Sequence, residues 1–306
     1  MKLNHIAGQT WYLDGKDADI PLYLLGEGRA VLLDGGCPGG DDREALALLE
    51  AQGLTVTAMV CTHAHPDHMG LCRTLQERGA VVAMPAFEAA CVDTAEHLKA
   101  WYPLFSIGQI RHYFASILFR ADLPFDPAAG TLELSGAAFT VLHAPGHTPD
   151  QVCLRTPDGV WYLADALISR RDCERAKLPY LFSVADGIQT AQKLRSLPRQ
   201  PALLAHGGLE ADPAGLAQAN VEAFRRCARR VLDLVDRPMS AEALLQAAVT
   251  AFSLRSGGNT YGLRLIDRNL TAFREYLLDR GLLRQEAIQG RMVYCRTEQE
   301  ADHAAI

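Results

Sequence analysis

Thr62-His63-Ala64-His65-Pro66-Asp67-His68 sets three imidazoles and one carboxylate within six residues, in the order His-x-His-x-Asp-His. Imidazole nitrogen and carboxylate oxygen are the donors that suit zinc and related divalent ions. Histidine is scarce in this chain, ten in 306 residues, so such a density calls for a reason. We read it as half of a two-metal hydrolytic centre. The stretch from Val56 to Cys61 just before it is a continuous β-like apolar run, and a helix is expected over Asp67 to Arg78. The cluster therefore belongs on a loop between a buried strand and a helix.

Working outward, Ile20 to Leu25 and Ala30 to Leu33 are short apolar runs joined by Gly26-Glu27-Gly28, a hairpin that ends in Asp34-Gly35-Gly36. Asp41 to Gln52 has helical spacing, with acidic start signals and Gly53 as a stop. Strands are expected at 81–84, 131–134, 139–142, 152–155 and 160–163. Three further candidate ligands each follow a strand-like stretch: His147 in His143-Ala144-Pro145-Gly146-His147-Thr148, Asp165 after Trp161-Tyr162-Leu163-Ala164, and His206 after Ala202-Leu203-Leu204-Ala205. Ligands that all follow strands can converge on one edge of a β-sandwich.

With these motifs in this order, residues 1 to about 210 resemble the metallo-β-lactamase-fold hydrolase superfamily, in particular its glyoxalase-II-like branch. The resemblance implies an α/β fold, an αββα sandwich. It implies two divalent ions, Zn2+ by default with Mn2+ or Fe2+ suited to the same donors. One metal would take His63, His65 and His147, the other Asp67, His68 and His206, with Asp165 bridging. Asp34 would orient ligands from outside, and Asp67 would also be the catalytic carboxylate that holds the nucleophile. The reaction so implied is attack by metal-bound hydroxide on an ester, thioester or lactone of a small molecule. A phosphodiesterase or endoribonuclease using the same site is the alternative, and a mononuclear-iron sulfur dioxygenase a lesser one. Asp165 argues against a β-lactamase, and Asp165-Ala166-Leu167-Ile168 lacks the tyrosine that lactonases of this group carry soon after the bridging aspartate.

From His97 to Phe125 aromatics accumulate, which reads either as a helical pair packed on the core or as a lid over the site; in the second reading Trp101, Tyr102 and Phe105 are the candidates for an apolar wall of the substrate pocket. Residues 213–306 form an expected second domain, helical and winged-helix-like: an amphipathic helix over 220–235, another after Ser240, a third over 261–280, and two strands about Gln289-Gly290. Four arginines, Arg225, Arg226, Arg229 and Arg230, are the feature there that would favour nucleic acid. Against it stand a net charge of −6 and a pI near 5.9. Eight scattered cysteines with no Cys-x-x-Cys pair read as buried thiols. No apolar leader or membrane span is seen, so the expected home is the cytoplasm and the expected partner a small molecule. The sequence leaves the oligomeric state open, a homodimer included.

Overall fold

Alternate side chains of single strands enter two different cores. In β4 (Arg29–Leu33), Ala30 and Leu32 join one buried cluster while Val31 and Leu33 join another. In β11 (Trp161–Ala164), Trp161 and Leu163 face one cluster, Tyr162 and Ala164 a second. Strands covered on both faces read as unbroken apolar runs, and a chain built from them needs three cores between four layers. The computed structural model describes residues 1–197 and 200–298.

The first sheet runs in the order β1 (Leu3–Ala7), β2 (Thr10–Leu13), β3 (Ile20–Gly26), β4, β5 (Thr55–Val60), β6 (Val81–Pro85), β7 (Leu123–Phe125). It is antiparallel up to β4 and parallel from there to β7. The second runs β13 (Gly208–Glu210), β12 (Ala202–Leu204), β11, β10 (Val152–Arg155), β9 (Ala137–His143), β8 (Thr131–Leu134). Its one parallel pair is β11 with β12. Val31, Leu33, Val60, Phe139, Leu154 and Tyr162 fill the space between the sheets.

Among the described residues, six helices cover the outside of the first sheet: α1 (Asp41–Ala51), α2 (Pro66–Met69), α3 (Cys72–Glu77), α4 (Ala86–Asp93), α5 (Ala95–Trp101) and α6 (Ile107–Tyr113). The single helix expected over 67–78 is thus two pieces. Gly70 is drawn to the Asp34-Gly35-Gly36 loop, its N–H donating to the Gly36 carbonyl at 2.8 Å, and the Leu71 N–H donates to Gly35. A Cβ on Gly70 would lie 2.5 Å from that Gly36 oxygen.

The second sheet is covered by α7 (Arg170–Arg175), α8 (Val184–Arg195), α9 (Pro213–Leu234), α10 (Ala241–Ala251) and α11 (Thr260–Asp279), with the hairpin β14 (Leu283–Ile288) and β15 (Arg291–Arg296). The helix expected over 220–235 begins at Pro213, because Asp212 caps it by accepting from the Gly215 N–H at 3.2 Å. Buried Asn220 clips α9 to the loop after β11 through both the N–H and the carbonyl of Ile168. One apolar cluster runs from Trp161 through Phe224 to Phe273 and Tyr294, so it continues across residue 212. Two of the four α9 arginines are engaged within the fold: Arg226 donates to the Cys173 carbonyl and Arg230 stacks 4.2 Å from the Phe252 ring centroid.

All eight cysteines are free, seven of them buried. Among the described residues no helix is long and apolar enough to cross a membrane.

Phe224 sits at the centre of the outer cluster, against α8. Phe224→Ala is expected to cost about 3–5 kcal/mol, read as a lower urea midpoint at unchanged m-value; a shift below 1 kcal/mol would mean that this face carries little of the stability.

Candidate metal centre

Strands β4, β5, β9, β11 and β12 all end at the same edge of the sandwich, and each delivers a polar residue there. Asp34 follows β4, the 62–68 loop follows β5, His147 lies in the turn after β9, Asp165 follows β11 and His206 follows β12. Asp34 and Ala164 hold left-handed backbone, φ 67° and 46°, which non-glycine residues rarely adopt. Such strain persists where the surroundings over-determine it. Here it turns the chain at the two strand ends that set Asp34 and Asp165.

The side chains meet in two groups that share one carboxylate. His63, His65, His147 and Asp165 form the first, and Asp67, His68, Asp165 and His206 the second; within each, the donor atoms lie within 4.8 Å of one another. His65 Nδ1 is 3.1 Å from His63 Nε2 and 2.8 Å from His147 Nε2. Asp165 Oδ2 is 3.2 Å from His147 Nε2 and 3.3 Å from His68 Nε2, while its Oδ1 lies 3.5 Å from His206 Nε2. Asp67 Oδ2 is 3.1 Å from His206 Nε2. All seven residues singled out in the sequence are thus brought together.

The outward ring nitrogens of four of these histidines have oxygen partners. His68 Nδ1 lies 2.8 Å from Asp34 Oδ2, His63 Nδ1 3.1 Å from Thr62 Oγ1, His65 Nε2 3.0 Å from the Tyr180 hydroxyl, and His206 Nδ1 2.6 Å from the Asp17 carbonyl. An oxygen on the outer nitrogen sets the tautomer and leaves the inner nitrogen a lone pair. Inside, His68 Nε2 is buried with no hydrogen-bond partner. Imidazole nitrogens turned on one another about a shared carboxylate suit a pair of divalent cations and little else.

Asp34 is buried and accepts from the Thr62 N–H, the Thr62 hydroxyl and the Tyr162 hydroxyl at 2.6, 2.8 and 2.7 Å, besides its contact with His68. Buried Glu88 accepts from the N–H of Ala64 and of Asp150 at 2.9 and 3.1 Å, joining the histidine loop to the His147 turn. Asp41 accepts from the N–H groups of Lys16, Asp17 and Ala18 and so shapes the loop whose carbonyl faces His206. Glu88, Tyr162 and Tyr180 carry no local sequence signal; each is a single residue whose partner is distant in the chain.

Burial before all else drives His63, His65 and His147 below the ordinary histidine range, His147 to about 4. Burial opposes charge on His68 and His206 too. For His68 it is outweighed by Asp34 and Asp165, and for His206 by hydrogen bonds to Asp165 and Asp67, which raise it to about 10. Burial raises Asp67 and Asp165, but the adjoining histidines hold both below the usual carboxylate range.

Beside the cluster lies a cavity of about 590 Å³. His65, Asp67, His147, Asp165 and His206 form its floor, Leu167, Ile168 and Leu178 one wall, and Leu254, Tyr261 and Leu265 from the C-terminal part another. Of the three aromatics proposed for a pocket wall, Tyr102 lines it. Trp101 and Phe105 do not. Trp101 stacks on Phe182, centroids 4.9 Å apart, over a separate shallow apolar hollow. Phe105 is buried behind Tyr102 and Phe114, where their ring–ring packing holds it.

The family model described as the Metallo-beta-lactamase superfamily matches residues 20–206. A hydroxyacylglutathione hydrolase from Xanthomonas euvesicatoria is 27% identical over 71% of this chain and 76% of its own length. The hydroxyacylglutathione hydrolase GloC of Haemophilus influenzae is 27% identical over 41% of this chain and 55% of its own. Among solved structures, a metallo-beta-lactamase family protein from Thermus thermophilus aligns with a TM-score of 0.71 at 22% identity, covering 92% of this chain and 94% of its own. A beta-lactamase domain protein from Burkholderia ambifaria aligns with 0.72 at 18%, covering 97% and 94%. At those identities the likeness is one of fold.

A divalent cation entering the second group must displace the protons that Asp165 and Asp67 favour on the inner nitrogens of His68 and His206. Zinc uptake by the metal-free protein is therefore expected to release protons, and its affinity to strengthen as pH rises from 6 to 8. Calorimetry in two buffers of different ionisation heat reads this directly; an enthalpy independent of buffer would rule it out.

Proposed function

The chain belongs to the Metallo-beta-lactamase superfamily and is a metal-dependent hydrolase, and on that footing we propose that it cleaves a small-molecule thioester, with esters and lactones as related acyl substrates. The observation that carries the reading is the pair of donor groups sharing Asp165 at the floor of a largely apolar cavity. Relatives named hydroxyacylglutathione hydrolases support the thioester in particular.

In this reading His63, His65 and His147 hold one metal, Asp67, His68 and His206 the other, and Asp165 both. Zn2+ is the ion of choice for such donors. When bound, two such cations lower the pKa of water toward neutrality and polarise the scissile carbonyl. The chain's own residues do the rest. Asp67, its Oδ2 3.1 Å from His206 Nε2, holds and orients the attacking water. Asp34 holds His68 and Thr62 so that the floor stays fixed during the reaction. The apolar walls exclude bulk water and take the acyl group.

Residues 1–212 then supply the chemistry, and the part from 213 onward closes the cavity through Leu254, Tyr261 and Leu265. Arg226 and Arg230 are spent on contacts within the fold, which weighs against phosphate recognition by α9.

The test is a panel of thioester, ester, lactone and phosphodiester substrates on enzyme of known metal content. Thioesters are expected to turn over fastest; faster cleavage of RNA would replace this reading with the nuclease, and one iron per chain with sulfur oxidation would replace it with the dioxygenase. Asp165→Ala is expected to lower kcat on the order of 10³-fold, the several kcal/mol that metal assistance supplies, with unchanged circular dichroism. Leu265→Ala should raise KM for an apolar acyl thioester about 10-fold, in line with roughly 1.5–3 kcal/mol for a buried leucine, and leave kcat near its original value.

A further inference from the structure

Tyr180 lies on the irregular stretch between α7 and α8, where no regular element fixes its ring. Both ends of that stretch are pinned. At one end the Leu178 carbonyl accepts from Asn269 Nδ2 of α11 at 3.2 Å, and Lys177 Nζ donates to the Ser253 carbonyl at 3.2 Å. At the other, the N–H groups of Phe182 and Ser183 donate to the Gly146 carbonyl at 2.8 and 3.0 Å, on the turn that carries His147.

Between these pins stands Arg268 of α11. Its guanidinium carbon is 4.1 Å from the Tyr180 ring centroid, 5.2 Å from that of Tyr102 and 5.5 Å from that of Trp101. Its Nη1 and Nη2 are buried and make no hydrogen bond. A buried cation without a paired anion is costly to keep. Here aromatic faces stand where a carboxylate would otherwise be, an arrangement in which planar guanidinium fixes the plane of the ring it covers. The Tyr180 hydroxyl so held is 3.0 Å from His65 Nε2. When His65 donates from Nε2, its Nδ1 is left with a lone pair, facing the ring nitrogens of His63 and His147.

We propose that Arg268 and Tyr180 are positioning residues that connect the C-terminal helix α11 to the metal cluster: Arg268 fixes the Tyr180 ring, and Tyr180 fixes the tautomer and aim of His65. The inference rests on the reading that His65 holds a metal. It gives the C-terminal part a task in building the cluster, apart from walling the cavity.

The test strips and reloads the full-length protein with Zn2+ or Co2+ in competition with a chromophoric chelator. Tyr180→Phe keeps the ring and removes the hydroxyl; it is expected to weaken metal affinity about 10–100-fold, the usual cost of losing a group that orients a ligand. The melting of the metal-free variant should match that of the unaltered protein, and the absorption bands of the cobalt form should shift. Arg268→Met should change affinity in the same direction, and Arg268→Lys should recover part of the loss. Wild-type affinity and cobalt bands in Tyr180→Phe would overturn the relay, as would a loss in Arg268→Met with none in Tyr180→Phe. If Arg268→Met does not fold, Tyr180→Phe and Arg268→Lys decide the matter between them. A wild-type chain that takes up no divalent cation would sink the metal reading itself, an outcome distinct from equal affinities in wild type and variant.

Discussion

Asp34 bonds to both sheets at once. It accepts from Thr62 and contacts His68 on the side of the first sheet, and it accepts from Tyr162 across the inter-sheet core. A buried carboxylate is tolerable only when its lone pairs are satisfied, so this one demands that β4, β5 and β11 end together. Once they do, the 62–68 loop and Asp165 have nowhere to go but the same edge. The left-handed backbone of Asp34 and Ala164 is the local cost of that closure.

The four-layer arrangement follows from the same economy of burial. Period-2 alternation in strands apolar on both faces supplies an inter-sheet core and two outer ones. The outer layers hold the sheets rigid, and the rigid edge holds loops that would otherwise splay seven polar side chains into water. Glycines act where backbones must meet: Gly70 against Gly36, and Gly146 against Gly187, where an added Cβ would come within 2.5 Å in either case. Each contact draws a ligand-bearing loop onto its neighbour.

Much of this could be read from the chain because the signals are local. The histidine cluster, the Asp34-Gly35-Gly36 turn and the strand-then-ligand pattern at His147, Asp165 and His206 each occupy a few consecutive residues. Helix α8 is less legible: Gly187 breaks its pattern, and the reason is a contact with Gly146, distant in sequence. Gly70 likewise divides a helix that periodicity alone would run together. The partners outside the cluster, Glu88, Tyr162, Tyr180 and Arg268, were not legible, since a lone tyrosine or arginine is ordinary until folding brings it against a histidine or an aromatic ring. Between core packing and a pocket wall, the two readings of the aromatic segment, local density does not choose: Phe105 is buried in packing and Tyr102 lines the cavity.

The floor of the cavity comes from strand ends locked into a double sheet, whereas one of its walls, with Leu254, Tyr261 and Leu265, comes from a loop and helix outside that lock. Substitutions at those three residues change what fits and spare the donors as long as Arg268, further along the same helix, keeps its place on Tyr180. A lineage carrying this architecture can therefore change its diet by editing one short, surface-built stretch while its reactive apparatus stays as inherited.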